Sequence, residues 1–443
     1  MKLQFVWACI VISLAASVRG ADDRHVVLIT MDGFPAYIYQ DPRAPIPTLR
    51  KLAAQGVAAE GMKVANPSVT WPNHTTLVTG VYPAKHSVLF NGLMIRDESG
   101  QQGRIDPNRT QADLVAVPTL WDVAHKSGLS TAAINWPCSS ESSALDDCFP
   151  DVANQVDHLS PRLKAELLAA EILPSASQAD FSRLSSPQHD RIWTDAACYV
   201  IRHRKPNLMV LHMLLTDSIQ HQYAPQSAAD FAAIAVVDSQ LRDILAALDD
   251  AGIRNKTTVI VTADHGFAKF TKRIQANVRV RKAGFPTSQV QVVPEGGTAF
   301  IYFNDPQSAE HLRTEIADLF KGQEGIDDVI LPDRFAALGL PDPAKNPRMC
   351  GLLLSAKDGY AFANGTTNDD VSPVPAGSTP GAHGYISDNP KMNAMFVAAG
   401  PAIRKGAKLG IIQNVSVAPT VAKILGIQLD TPDGKPLDDI LTP

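Results

Sequence analysis

The sequence predicts an α/β fold, a three-layer αβα sandwich built on a largely parallel central sheet. Two observations predict it. Apolar β-branched runs alternate along the chain with helical patterns, as strands covered on both faces by helices require. The 443 residues, 45% hydrophobic and 19% charged, suit one large globular α/β domain or two ordinary ones rather than a disordered chain.

Taken in order, residues 25–30 (HVVLIT) form a buried strand, and residues 48–55 form a helix. Residues 131–135, 208–214 and 257–262 (TTVIVT) are further strands. The span 226–250 is a long helix ended by Gly252. Near the C-terminus, 394–399 is a strand and 416–425 a helix. Two segments break the rhythm: 138–185, rich in Ser, Asp and Pro, and 268–297, with scattered basic residues and Gly. Insertions of this kind form lids or pocket walls.

At the N-terminus, Lys2 precedes an apolar run from Phe5 to Val18, with small residues around Ala15, Ala16 and Gly20. This pattern predicts a secretory signal over residues 1–20, too short for a comfortable span, and a single domain over 21–443 in a secreted or periplasmic protein. Nothing else in the sequence could cross a bilayer. In an oxidising compartment Cys138 and Cys148 are the expected disulfide. The net charge of −5, without a basic run, argues against nucleic-acid binding. A small phosphate substrate would instead need local positive charge, which metal ions can supply.

The chemistry gathers at strand ends, where loops leaving a parallel sheet converge. Asp32 follows the first strand, Asp217 and His221 follow 208–214, and Asp264 and His265 follow 257–262. His383 lies in a Gly-rich loop. Singly, each fits a turn or a solvated helix face. Together, three carboxylates and three imidazoles are the oxygen and nitrogen donors that two zinc ions take, with manganese or iron as alternatives. Thr70, in Thr-Trp-Pro-Asn-His, stands at the start of a helical run, where anions are favoured. Its hydroxyl becomes a nucleophile only with a base or metal beside it; otherwise it is an N-cap.

In their shared order, MDGF, TWPNHTTLVTGVYP, NGL, D-x-x-x-H, TADHGF and GAHGY make the sequence from about residue 25 to 426 resemble the nucleotide pyrophosphatase/phosphodiesterase family of the alkaline phosphatase superfamily. The resemblance implies an alkaline-phosphatase-like fold. It also implies one zinc held by Asp217, His221 and His383, and a second held by Asp32, Asp264 and His265 with Thr70. Asn91 would donate to a phosphate oxygen, with help from an N–H at the helix start. Trp71 would form one wall for the substrate. The implied reaction is in-line displacement at metals about 4 Å apart, through a phosphothreonine that water then hydrolyses. The sequence departs from the family at His212-Met-Leu-Leu-Thr-Asp217, where relatives carry a tyrosine of the nucleotide pocket, and at Gln220 before His221. Phosphomonoesterase or phosphonate hydrolase activity on the same scaffold is the alternative. A non-catalytic secreted metal-binding protein is the alternative of another kind.

Overall fold

The computed structural model describes residues 23–96, 103–304, 309–365 and 369–442. The expected signal segment lies outside the described residues. Eight strands form the central sheet: β1 (His25–Met31), β2 (Val57–Lys63), β3 (Thr131–Pro137), β4 (Asp147–Asp151), β5 (Leu208–Met213), β6 (Thr257–Thr262), β7 (Phe396–Ala399) and β8 (Leu409–Gln413). Their spatial order is β8-β2-β7-β6-β1-β5-β3-β4. All run parallel except β7, which is antiparallel to both neighbours. The central strands are buried on both faces, which explains why they read as continuous apolar runs rather than alternating ones.

Helices cover both faces. One layer holds α1 (Pro47–Gln55), α4 (Ser186–Arg204), α5 (Leu215–Tyr223) and α6 (Ala228–Asp250). The other holds α2 (Thr70–Thr79), α3 (Leu120–Lys126) and α7 (Val417–Leu425). The predicted strands and helices are all present, with boundaries moved by one or two residues. No helix among the described residues is long and apolar enough to cross a membrane.

Three expectations change. Residues 138–185 are not wholly an insertion, because 147–151 pair in register with β3 as the edge strand β4. The short, Asp- and Pro-bearing sequence DCFPD hides a strand that needs a partner on only one side. Residues 268–297 likewise begin two smaller sheets. One joins Ala268–Ile274 to Gly359–Phe362 and Val371–Pro373; the other is a four-stranded antiparallel sheet containing Val290–Glu295 and Thr298–Phe303. Finally, Cys138 and Cys148 are free and buried, as are Cys198 and Cys350. Burial pushes the thiols of Cys138 and Cys148 up to about 12, and Cys148 Sγ packs on Ser139 instead of a second sulfur.

Candidate metal centre and nucleophile

The carboxyl edge of the sheet gathers the predicted residues. Asp32 stands one residue beyond β1, and its N–H bonds to the Met213 carbonyl at the end of β5 (2.8 Å). Gly33 turns the chain with φ of 64° and donates its N–H to Asp264 Oδ1 (3.0 Å). A Cβ there would meet the Phe267 ring at 2.8 Å, so glycine is required on both counts. Asp264 and His265 follow β6. Asp217 and His221 lie one turn apart on α5, whose start is held by Asp190: its carboxylate accepts the N–H groups of Leu214 (2.8 Å) and Leu215 (3.1 Å).

His383 is not at the end of a central strand. It follows the two-residue strand Gly381–Ala382, and its loop is wedged between two others. His383 Nδ1 and the Gly384 N–H both reach the Ser68 carbonyl (3.0 and 2.9 Å), while Gly297 donates to the His383 carbonyl (2.8 Å). Gly384 has φ of 83°, and a Cβ there would lie 1.8 Å from the Glu295 carbonyl oxygen. The tightness of that packing explains the glycines around the histidine.

Six side chains converge. Donor atoms of Asp32, Asp264 and His265 lie within 4.8 Å of one another, as do those of Asp217, His265 and His383. His221 Nε2 is 3.3 Å from Asp217 Oδ1, and His383 Nε2 is 3.7 Å from the same oxygen. His265 Nε2 sits between the halves, 3.4 Å from Asp32 Oδ1, 3.2 Å from Asp264 Oδ2 and 3.4 Å from Thr70 Oγ1.

The electrostatics call for cations. Asp32 Oδ1, Asp217 Oδ1 and Asp264 Oδ2 are buried and accept no hydrogen bond, an expensive state for a carboxylate oxygen. Burial, followed by the charges of Asp264 and Asp217, pushes the Asp32 carboxyl well above its usual range. Burial acts the same way on Asp217, but His221, His383 and His265 outweigh it and hold that carboxyl low. Burial drives His265 down to about 4 and His383 to about 3, leaving neutral imidazoles, the form that binds metal. Oxygen and nitrogen donors of this kind fit divalent metal ions.

Thr70 is the first residue of α2. Its N-cap is Val69, which has no side chain able to cap, so the Thr70 hydroxyl is left for other work. The helix is buried along its whole length despite the polar sequence TWPNHTTLVT. Thr75, Thr76 and Thr79 return their hydroxyls to carbonyls four residues back, and Asn73 accepts from the Ala65 N–H and donates to the Pro67 and Val69 carbonyls. The side chains of Asn73, Thr75, Thr76 and Thr79 are thereby satisfied, which ties the helix down under the site.

Asn91 Oδ1 accepts the Trp71 N–H (2.9 Å), which aligns the asparagine with the helix start. This changes the expected anion site: the Trp71 N–H is already taken, Pro72 has none, and the Asn73 N–H goes to the Val69 carbonyl. The Thr70 N–H alone is left without a partner among the described residues. Trp71 is 4% exposed and packs with Val88, Leu114 and Cys138, though it still reaches the cleft in front of Thr70.

Three supporting residues were not assigned from sequence. His74, one turn after Thr70, bonds Thr30 Oγ1 (2.7 Å) and the Thr70 carbonyl (2.9 Å) and approaches Asp264 Oδ2 (3.6 Å). His212 Nε2 bonds Asp32 Oδ2 (2.8 Å), and its Nδ1 faces the Asn135 carbonyl (3.0 Å). Asp151, at the end of β4, accepts the Trp71 indole N–H (3.1 Å). Spacing signals His74, which lies on the same helix face as Thr70; the other contacts join segments about 77 to 180 residues apart.

Residues 26–386 match the family model for type I phosphodiesterase / nucleotide pyrophosphatase. The chain is 24% identical over 423 residues to ectonucleotide pyrophosphatase/phosphodiesterase family member 3 of Rattus norvegicus, covering 93% of this chain but 43% of that protein. It is also 24% identical to the bis(5'-adenosyl)-triphosphatase of Xenopus laevis, covering 95% of this chain and 81% of the relative. It therefore spans less than half the length of the rat relative. Human ectonucleotide pyrophosphatase / phosphodiesterase 5 superposes with a TM-score of 0.73 at 17% identity, over 95% of this chain and all of that one. The murine counterpart, solved as an inactive variant in complex with AMP, gives 0.70 at 18%, over the same shares. The fold is thus the alkaline-phosphatase-like one of these structures. By the extent of its match, the chain belongs to the type I phosphodiesterase / nucleotide pyrophosphatase family.

Proposed function

We propose that the protein is a secreted or periplasmic, two-metal phosphodiesterase that acts through a phosphothreonine at Thr70 on nucleotides or other small phosphodiesters. One observation carries this reading: the Thr70 hydroxyl meets His265 Nε2 (3.4 Å), which also lies 3.4 Å from Asp32 Oδ1 and 3.2 Å from Asp264 Oδ2, buried carboxylate oxygens without a hydrogen-bond donor. Asp217, His221 and His383 would hold one ion, and Asp32, Asp264, His265 and Thr70 the other. Zinc suits this mixture of imidazole and carboxylate donors. When bound, the two ions supply charge neutralisation and Lewis-acid activation at the reacting oxygens.

The chain's own residues do the rest. Thr70 Oγ1 gives up its proton to solvent and attacks phosphorus as the bond to the leaving oxygen breaks; the leaving group departs with the electron pair and takes a proton from solvent. Water then attacks from the opposite face, breaks the Oγ1–P bond and returns the Thr70 hydroxyl. Asn91, its carbonyl end already held by Trp71, has amide N–H groups without a partner among the described residues, and they would donate to a phosphate oxygen together with the Thr70 N–H. His74 and His212 keep the nucleophile's helix and Asp32 in register.

The test compares nitrophenyl nucleotide diesters, nitrophenyl phosphate and phosphonoacetate as substrates, with metal analysis of the same preparation. Diesters should be turned over fastest, and Thr70→Ala should abolish turnover while retaining both metals. A Thr70→Ala variant as active as the wild type would remove the nucleophile from the mechanism. A monoester rate well above the diester rate would move the protein to the monoesterase alternative.

A further inference from the structure

The cleft over Thr70, about 520 Å³, carries an unexpected charge pattern. On one side are the metal-ligand residues. On the other, the described residues that line it include no lysine and no arginine. A substrate with a second phosphate would find no protein cation there. It would find a carboxylate. Asp151 Oδ2 takes the Trp71 indole N–H and lies 3.9 Å from His212 Nδ1, while Oδ1 has no partner among the described residues and the side chain remains 24% exposed. Gln155 lines the same cleft, and its Oε1 is buried without a partner, its amide nitrogen being spent on Asn135 Oδ1 (3.3 Å). The wall thus offers two unengaged acceptors beside the faces of Trp71 and Leu214. A buried acceptor such as Gln155 Oε1 loses energy unless a donor reaches it, while the partly exposed Asp151 carboxylate, a fixed negative charge, favours a donor and penalises a like charge placed next to it.

From this we infer that Asp151 is a specificity-determining residue. It makes the cleft select phosphodiesters whose organic group donates hydrogen bonds, whether neutral or ammonium-bearing, over substrates that place a further anionic group there, pyrophosphates included. The inference rests on the phosphodiesterase reading and narrows it. Trp71 and His212 fix the position of the carboxylate, so the discrimination acts at one place in the cleft, not through the protein's overall charge.

The experiment uses the metal-loaded protein and three nitrophenyl phosphodiesters that share a leaving group and differ in the second ester: aminoethyl, hydroxyethyl and carboxymethyl. Wild type should rank their kcat/KM in that order. In Asp151→Asn, which keeps an acceptor for the Trp71 indole, the aminoethyl-to-carboxymethyl ratio should fall about tenfold, the effect of one charge at a partly exposed site. Asp151→Glu should return the ratio toward wild type, which a merely structural role would not do. An unchanged ratio in Asp151→Asn overturns the inference while leaving the phosphodiesterase reading intact. Failure of wild type to cleave any of the three sinks that reading instead. Should Asp151→Asn not fold, a wild-type protein that processes the carboxymethyl ester as well as the aminoethyl ester overturns the inference.

Discussion

At the scale of single residues, the site is defined by which polar atoms are engaged and which are left over. Asn91 shows this most simply. Its carbonyl oxygen is used by Trp71, so under the proposed mechanism it would act through the amide nitrogen alone. Asn91→Asp keeps the acceptor and removes the donor. Its kcat should fall about 10²-fold, the cost of one transition-state hydrogen bond, with a thermal melt close to wild type. A variant with full kcat would show that no phosphate oxygen rests on Asn91. His212 makes the complementary point. Where relatives carry a pocket tyrosine, this chain spends the position on holding Asp32, so the substrate wall must be built from other residues.

At the scale of elements, each ligand owes its place to one braced segment. Helix α5 brings Asp217 and His221, and Asp190 on α4 satisfies the N–H groups where it begins. Asp190 is fully buried. Asp190→Ala leaves those donors unpaired at a cost of about 1–3 kcal/mol. The melting temperature should drop, and zinc titration should show the Asp217 and His221 site weakened more than its neighbour. A variant that melts and binds zinc like the wild type would show that α5 is held by packing alone. The loop bearing His383 is braced differently, by Ser68 on one side and Glu295–Gly297 on the other, so the small antiparallel sheet is part of the scaffold of the candidate metal site.

For the whole molecule, the proposed metal binding at the three buried carboxylates would be coupled to stability. They are buried at the edge of a sheet whose apolar core is otherwise continuous. Ions that bind only the folded state stabilise it by about 4 kcal/mol when present at about a thousand times their dissociation constant. Chelation should therefore lower the melting temperature, and added zinc should restore it, as calorimetry can follow. A melt indifferent to both would contradict the two-metal reading. The sheet should survive chelation, because its strands are buried by helices on both faces independently of the site.

The sequence by itself determined the parallel sheet, its principal strands and helices, and the identity of the residues now gathered at its edge. Those features are written in local patterns: runs of β-branched residues, helical periodicity, and polar residues set where strands stop. Tertiary structure alone decided which carboxylate oxygens go without a partner, that β4 completes the sheet from within a polar segment, and that Cys138 and Cys148 stay apart. It also decided that Asp151, His212 and Trp71 meet. Such contacts join segments scores to hundreds of residues apart, and no local pattern records the distance at which two folded surfaces come to rest.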